Sequence, residues 1–145
     1  MTSASTYTAL FVSQPREPEL SAEERAAFLR GVREFNDGYY FECHDTLEDL
    51  WSGLRGDARD FFQGLIQVSV GHYHLGNGNR AGAARMFERS LARLERYPAR
   101  YFGFDVSRQR DELVARLRAL AAKDSLEETG ARPHWAFELV ASEGP

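Results

Sequence analysis

Apolar side chains recur at intervals of three and four residues along most of the chain, which is the period of amphipathic helices. The first helix is predicted to begin after Ser21, because Ser21 and Glu24 have the spacing of a capping box. The turn-forming run at residues 36–38 ends it. Its apolar face is expected to carry Phe28, Leu29, Val32 and Phe35.

Four more helices follow from the same period and from the turn residues between them. We predict them at about residues 39–52, 57–75, 79–97 and 105 or 107 to 123. Asn79 suits the N-cap of the fourth helix, and Pro98 blocks its continuation. Tight Asn/Gly turns join helices one and two, and helices three and four, which predicts two antiparallel hairpins.

The expected fold class is all-α, because no strand-rich segment is evident. We predict a small helical bundle of two antiparallel helix hairpins, with a tetratricopeptide-like flavour, plus a fifth helix. Residues 135–139 alternate apolar and polar side chains and are expected to lie in a groove as a C-terminal strap. Residues 1–19 look like an irregular leader, which leaves residues 20–145 as a single helical domain.

The composition is that of an ordinary soluble globular protein, with 43% hydrophobic and 28% charged residues among 145. The single cysteine, Cys43, excludes an internal disulfide and favours a reducing, cytoplasmic compartment. The longest apolar stretch, around residues 61–70, is interrupted by Gln63 and Gln67 and is too short to span a bilayer. We therefore expect no membrane partner.

Charge is distributed unevenly, although the net charge of −4 argues against general affinity for nucleic acid. Residues 17–60 hold 12 acids and 5 arginines, whereas residues 80–118 hold 10 arginines and 5 acids. Arginines recur at helical spacing along the fourth helix. This arginine ridge predicts either a solvated face or a contact with an anionic partner such as RNA. It consists of Arg85, Arg89, Arg93, Arg96 and Arg100.

The third helix is apolar over most of its circumference, which predicts a central and buried position. Phe62, Ile66, Val70 and Tyr73 form one of its apolar stripes. Its polar side chains Gln63, Gln67 and His74 share one narrow sector. His72 points to the other side, because residues two apart do not share a helix face.

On the second helix, His44 and Glu48 lie one turn apart at the edge of the apolar face. We expect both to face the glutamine–histidine sector of the third helix, which would make one semi-buried polar cluster. One interpretation is a hydrogen-bond network that fixes the helix register, because buried polar groups need partners. Cys43 lies on the apolar face and is expected to act as a small hydrophobic residue.

The other interpretation of this cluster is a site for a divalent transition metal. His44, Glu48 and His74 offer the imidazole and carboxylate ligands that suit zinc, iron or manganese. Glu42 or Asp45 would then be the catalytic base of a metal-dependent hydrolase. The spacing matches neither the His-Glu-x-x-His motif nor the Glu-x-x-His motif of di-iron bundles, so both interpretations stay open.

The first hairpin carries the motif Phe35-Asn36-x-Gly38-x-Tyr40-Phe41-Glu42-x-His44-Asp45-x-Leu47-Glu48-x-x-Trp51. The second carries Phe62-Gln63-Gly64-Leu65-Ile66-Gln67, Tyr73-His74 and Gly78-Asn79-x-x-Gly82-Ala83. In these motifs the chain, over about residues 24–98, resembles the domain of unknown function 309 family of bacteria and archaea. The resemblance implies a small all-helical cytosolic domain, but no reaction, cofactor or partner.

The polar positions of the family pattern coincide with the predicted cluster. Asp45 stands where the family commonly has Glu, and its side chain is one methylene shorter. The resemblance adds Glu42 to the candidate residues. The family's polar positions are, in this chain, Glu42, His44, Asp45, Glu48, Gln63, Gln67 and His74.

The sequence therefore favours a non-catalytic scaffold or binding protein with a semi-buried His/Glu/Gln cluster, and a homodimer is compatible with it. A metal-dependent hydrolase that uses the same cluster is the alternative. An RNA-associated protein that uses the arginine ridge is a weaker one, because no aromatic side chains interleave the arginines.

Overall fold

Five helices and one short β-hairpin make up the computed structural model, which describes residues 14–122 and 132–138. The helices are α1 (Ala22–Asn36), α2 (Tyr40–Trp51), α3 (Gly56–Gly76), α4 (Arg80–Leu94) and α5 (Val106–Ala121). Strands β1 (Arg100–Tyr101) and β2 (Phe104–Asp105) lie antiparallel between α4 and α5. All five predicted helices are present and the all-α class is confirmed.

The predicted helix signals act as expected at two N-termini. Ser21 Oγ accepts from the backbone N–H of Glu24, and the Glu24 carboxylate accepts from the backbone N–H of Ser21, which completes the capping box. Asn79 Oδ1 accepts from the backbone N–H of Gly82 at 2.9 Å and caps α4. These bonds satisfy amide groups that have no partner within the helix.

The central helix α3 packs against α2 on one side and α4 on the other, while α1 covers α2 and α5 covers α4. Along the α3–α4 pair, Ser90 Oγ donates to the Gly64 carbonyl at 2.8 Å, and Tyr97 Oη donates to the Asp57 carbonyl at 2.6 Å. The partners run in opposite directions, so the hairpin is antiparallel. The fourth helix was predicted to reach Tyr97 but ends at Leu94, and the buried Tyr97 follows in a turn.

The β-hairpin was not predicted. Its two-residue turn places Phe102 at φ 52° and Gly103 at φ 75°, the pair of positive values that a type I′ turn needs. Glycine is required at position 103 by space as well, since a Cβ there would lie 2.1 Å from the Glu138 carbonyl oxygen. Strands of two residues are too short to show alternation, so periodicity could not reveal them.

The C-terminal strap is found where it was predicted, as far as residues 132–138 extend. Trp135 is 2% exposed and stacks on Phe35 with ring centroids 3.8 Å apart. Its indole Nε1 donates to Gln109 Oε1 at 2.6 Å, and its backbone N–H donates to Asn36 Oδ1 at 2.7 Å. Phe137 pairs with Phe104 of β2. The strap therefore closes the core over α1 and α5.

Some predicted features fall outside the described residues. These are position 139 of the strap, the end of the fifth helix at residue 123, and residues 1–13 of the leader. Residues 14–20 have no helix or strand. Within the described ranges, no helix has the length and apolar character needed to cross a bilayer.

Candidate functional site

Two histidines of α3 that are two residues apart lie in opposite environments, as the helix geometry predicted. His72 is 4% exposed, and its ring lies 5.6, 5.3 and 4.9 Å from the rings of Phe35, Tyr40 and Phe87. Burial disfavours the charged imidazole and lowers the pKa of His72 to about 3, with a smaller contribution from the positive charge of Arg116. His72 is thus a neutral member of the core.

His74 lies on the other side of α3 and lines a pocket against α2. The pocket has a volume of about 160 Å³. The rings of Phe41 and Tyr73 stand 5.5 Å apart at its edge, while Val70 belongs to its lining. His44 of α2 and His74 of α3 both line it, so the two candidate imidazoles share one pocket.

Three large aromatic side chains remain exposed around this pocket. Tyr39, Phe41 and Tyr73 keep 58%, 48% and 42% of their surface in contact with solvent, and we call them the aromatic face. Tyr73 was predicted to lie in a buried apolar stripe, and that prediction is wrong. Tyr39, Phe41 and Tyr73 also border a neighbouring groove of about 400 Å³, together with Glu42.

His44 is flanked by two carboxylates, one at each ring nitrogen. Its Nε2 lies 3.3 Å from Glu48 Oε2, and its Nδ1 lies 3.4 Å from Asp45 Oδ1. The second contact lacks hydrogen-bond geometry, so the buried Nδ1 has no hydrogen-bond partner in the described part of the chain. Both carboxylates are more than half exposed. The His44–Glu48 pair predicted from the one-turn spacing is therefore formed.

The tautomer of His74 follows from its neighbour Asn79. Asn79 Oδ1 accepts from a backbone N–H, so its Nδ2 is a donor, and this Nδ2 lies 3.4 Å from His74 Nδ1. His74 Nδ1 is therefore the acceptor, and the proton of the neutral ring is on Nε2. A histidine that binds a metal through Nε2 normally gives its other N–H to an acceptor, so this environment does not favour His74 as a ligand.

The two glutamines are not joined to this cluster. Gln67 is 7% exposed and its Oε1 has no hydrogen-bond partner among the described residues. No hydrogen bond links Gln63 or Gln67 to His44 or Glu48 over residues 14–122 and 132–138. The structure therefore brings His44, Glu48 and His74 to one place, without the glutamine bonds of the predicted network.

Asp45 joins His44 and Glu48 in the described part of the chain as a group whose potential metal-ligand atoms all lie within 4.8 Å of one another. His74 is not a member of this group. Asp45 and Glu48 approach different nitrogens of the His44 ring, and one ion binds only one of those nitrogens. The arrangement thus gives His44, Asp45 and Glu48 as three residues that could each offer one ligand atom, with the two carboxylates at different nitrogens of the ring.

The two remaining residues, Glu42 and Cys43, lie in different environments. Glu42 is exposed and lines the groove beside the aromatic face. Cys43 is fully buried and free, and burial raises the pKa of its thiol, which confirms its role as a hydrophobic residue.

The arginine ridge is broken up by carboxylates. Arg93 and Arg96 both pair with Asp60 of α3, and Arg100 lies 3.5 Å from Glu138. The two ridge residues nearer the start of α4, Arg85 and Arg89, are exposed. Three of the five arginines therefore neutralise charge within the chain rather than forming a continuous basic surface.

The aromatic face was not predicted, because its members are adjacent in sequence to residues of the core. Tyr39 and Phe41 flank the half-buried Tyr40, and Tyr73 lies between two histidines. A signal existed in the helical wheel of α2, since Phe41 lies outside the stripe that contains Cys43 and Leu47.

The fold and the site together define a class of protein. It is a small helical bundle with a pocket between α2 and α3 that is edged by aromatic side chains. Residues 28–86 match the family model described as Domain of unknown function (DUF309), which confirms the resemblance to this family over that part of the chain. The matched range contains α2, α3 and both hairpin turns.

A relative is similar to part of this chain. The Uncharacterized protein YpuF of Bacillus subtilis (strain 168) is 39% identical over 57 residues. The match covers 39% of this chain and 33% of YpuF, so it spans about one third of that relative's length.

Proposed function

We propose that this chain is a non-catalytic binding domain and that its contact site is the pocket between α2 and α3. The exposure of Tyr39, Phe41 and Tyr73 is the observation that carries the proposal. Large aromatic side chains grouped on a surface are typical of sites that bind another molecule. An apolar cavity of about 150 Å³ can hold a benzene ring. The pocket, of about 160 Å³, therefore suits one apolar side chain.

The polar groups around the pocket fit recognition better than catalysis. The described lining includes two imidazoles but no hydroxyl nucleophile other than the phenol of Tyr73, and no thiol. His74 Nε2–H is left to donate to a ligand, because Nδ1 already accepts from Asn79. Cys43 faces the core and is removed from the site. These groups can orient a ligand by hydrogen bonds.

An NMR screen with small aromatic and aliphatic fragments tests the position of the site. We expect fragments to shift the resonances of Phe41, His44, Tyr73 and His74, and the Phe41→Ala/Tyr73→Ala double variant to lose these shifts. Leu117→Ala, in the groove between α4 and α5, is the control and should keep them. Fragments that bind only elsewhere, or nowhere, would contradict the proposal.

A metal-dependent hydrolase is the second candidate, and the 4.8 Å group of His44, Asp45 and Glu48 favours it. His44, Asp45 and Glu48 would hold a divalent transition metal, and Glu42 would be the base. Both carboxylates are more than half exposed, and exposed acidic groups are common without a bound ion, which ranks this candidate second. Elemental analysis after loading with zinc should show about one ion that His44→Ala removes, whereas His74→Ala should leave it bound. Absence of bound metal would end this candidate.

Contact with RNA is the least favoured function, because three ridge arginines already pair with carboxylates. If RNA did bind, its affinity would fall steeply with salt, and Arg85→Gln/Arg89→Gln would weaken it. A filter-binding titration at low salt measures this. The cytoplasmic location and homodimeric state stay predictions from the sequence, as does a single domain over residues 20–145.

A further inference from the structure

We infer that the partner of the aromatic face is a positively charged peptide segment that inserts one apolar side chain into the pocket. This inference rests on the proposed binding function and adds the chemical class of the partner. It draws on the charges around the face, the shape of the two cavities and the surface chemistry of α4.

Negative charge dominates the stretch of chain that carries Tyr39 and Phe41, and a described arginine at the edge of the groove is Arg132, beside Gly38. Residues 34–54 contain six carboxylates and no lysine or arginine. Only one of these six, Glu34, pairs with a described arginine, Arg30. Glu42 and Asp49 are exposed and form no ion pair within residues 14–122 and 132–138. The surface therefore presents unpaired negative charge that a cationic partner would neutralise.

The carboxylates lie where they can contact the same ligand as the rings. Glu42 lines the groove beside Tyr39 and Tyr73. Asp45 and Glu48 flank His44, which forms one wall of the pocket. An arginine or lysine placed here can pair with a carboxylate while its alkyl stem and cationic head lie over an aromatic ring.

The two cavities share a boundary that gives the ligand a path. Phe41 and Tyr73 line both the pocket of about 160 Å³ and the groove of about 400 Å³. A segment of a few residues can therefore follow the groove and turn one apolar side chain into the pocket. The pocket and the groove therefore fit a peptide with one apolar side chain next to basic residues, rather than a peptide with basic residues alone.

A second copy of this chain fits the face less well than a peptide. Its exposed Arg85 and Arg89 could offer positive charge. The exposed apolar residues beside them on α4 are only Ala81 and Ala92, and alanine is too small to fill the pocket. Met86 and Leu91 on the same helix are half-buried, so the basic surface of α4 offers no fully exposed anchor for the pocket.

Selection from a displayed library of random twelve-residue peptides tests the inference. Peptides are selected on the full chain and then depleted on the Phe41→Ala/Tyr73→Ala double variant. We expect the remaining sequences to be rich in lysine and arginine and to contain one large apolar residue. Their affinity should fall about tenfold in Glu42→Gln/Glu48→Gln, which removes two interacting charges. The matched control Glu88→Gln/Glu95→Gln changes two acids of the basic region and should leave affinity unchanged.

The outcomes separate the inference from the function on which it rests. Neutral or acidic peptides that still require Phe41 and Tyr73 would overturn the inference and leave the binding function in place. A library that yields no peptide dependent on these two rings would overturn both. Self-association that Arg85→Gln/Arg89→Gln abolishes would assign the face to a second copy and would also overturn the inference.

Discussion

Two aromatic regions of the molecule differ in exposure, since one is buried in the core and the other lies at the surface. Each of two short segments, residues 39–41 and residues 72–74, contributes side chains to both regions. Tyr40 and His72 enter an inner cluster in which the rings of Phe35, Phe87 and Trp135 pack together and exclude water. Their sequence neighbours Tyr39, Phe41 and Tyr73 form the aromatic face, and His74 lines the pocket beside it. The regions have similar composition, so composition alone cannot tell a structural aromatic residue from one available to a partner.

The difference arises from helix geometry. Successive side chains project about 100° apart, so a run of three aromatic or imidazole residues on a helix cannot stay on one face. The inner cluster is further fixed by bonds from the strap, since Asn36 binds both the N–H and the carbonyl of Trp135. No helix or strand among the described residues covers the aromatic face.

The largest effect should come from removing an inner ring. Phe35 is fully buried and contacts Tyr40, His72 and Trp135, so Phe35→Ala should lower the free energy of unfolding by about 3–5 kcal/mol. Tyr39→Ala, at a site that is 58% exposed, should change it by about 0.5 kcal/mol or less. Urea denaturation measures both. Equal losses would mean that the two regions do not differ as described.

A smaller effect should follow from crowding the interior. A Cβ at Gly71 would lie 2.4 Å from the Phe87 ring, so Gly71→Ala should destabilise the chain by about 1–3 kcal/mol. Gly76→Ala is the matched control at the end of the same helix, because nothing lies within 4 Å of its added methyl group. Thermal and urea unfolding of the two variants should separate them; a Gly71 variant as stable as the Gly76 variant would show that the ring moves aside at no cost.

The buried histidine should give stability a dependence on pH. Burial lowers the pKa of His72 from an ordinary 6.5 to about 3. Between these pH values the unfolded chain binds a proton that the folded chain does not, so stability falls as the pH falls. The slope from this group is at most about 1.4 kcal/mol per pH unit.

Urea unfolding at several pH values from 6.5 to 5 measures this slope where most carboxylates are already ionised, and the variant comparison separates His72 from Glu112, whose carboxyl pKa is raised by burial. His72→Phe should reduce the slope, because it removes the buried imidazole whose pKa is lowered. An unchanged slope in His72→Phe would show that His72 takes up a proton without cost to the fold.

Much of the fold could be predicted because it depends on local signals. The capping box at Ser21 and the Asn79 cap mark their helix starts directly in the sequence. The β-hairpin could not be predicted, since Gly103 is fixed by a contact with Glu138, 35 residues further along the chain. Contacts at that distance leave no periodic trace.

Only those features of the site that depend on a single helix could be predicted from the sequence. The one-turn spacing placed His44 beside Glu48, and the wheel of α3 separated His74 from His72. The position of Gln67 relative to His44 depends on how α2 and α3 pack, which a wheel does not determine. The exposure of Tyr73 also depends on how α2 packs against α3. The helical wheel places Tyr73 in an apolar stripe whether or not another helix covers it.

The central claim is that the aromatic face serves binding while the inner cluster serves stability. The Phe41→Ala/Tyr73→Ala double variant tests it most directly, with unfolding free energy and affinity for a selected peptide measured on the same sample. We expect a stability loss of about 1 kcal/mol per ring, since each ring is near half-exposed, together with loss of peptide binding. A loss as large as that of Phe35→Ala, with peptide affinity intact, would contradict this claim.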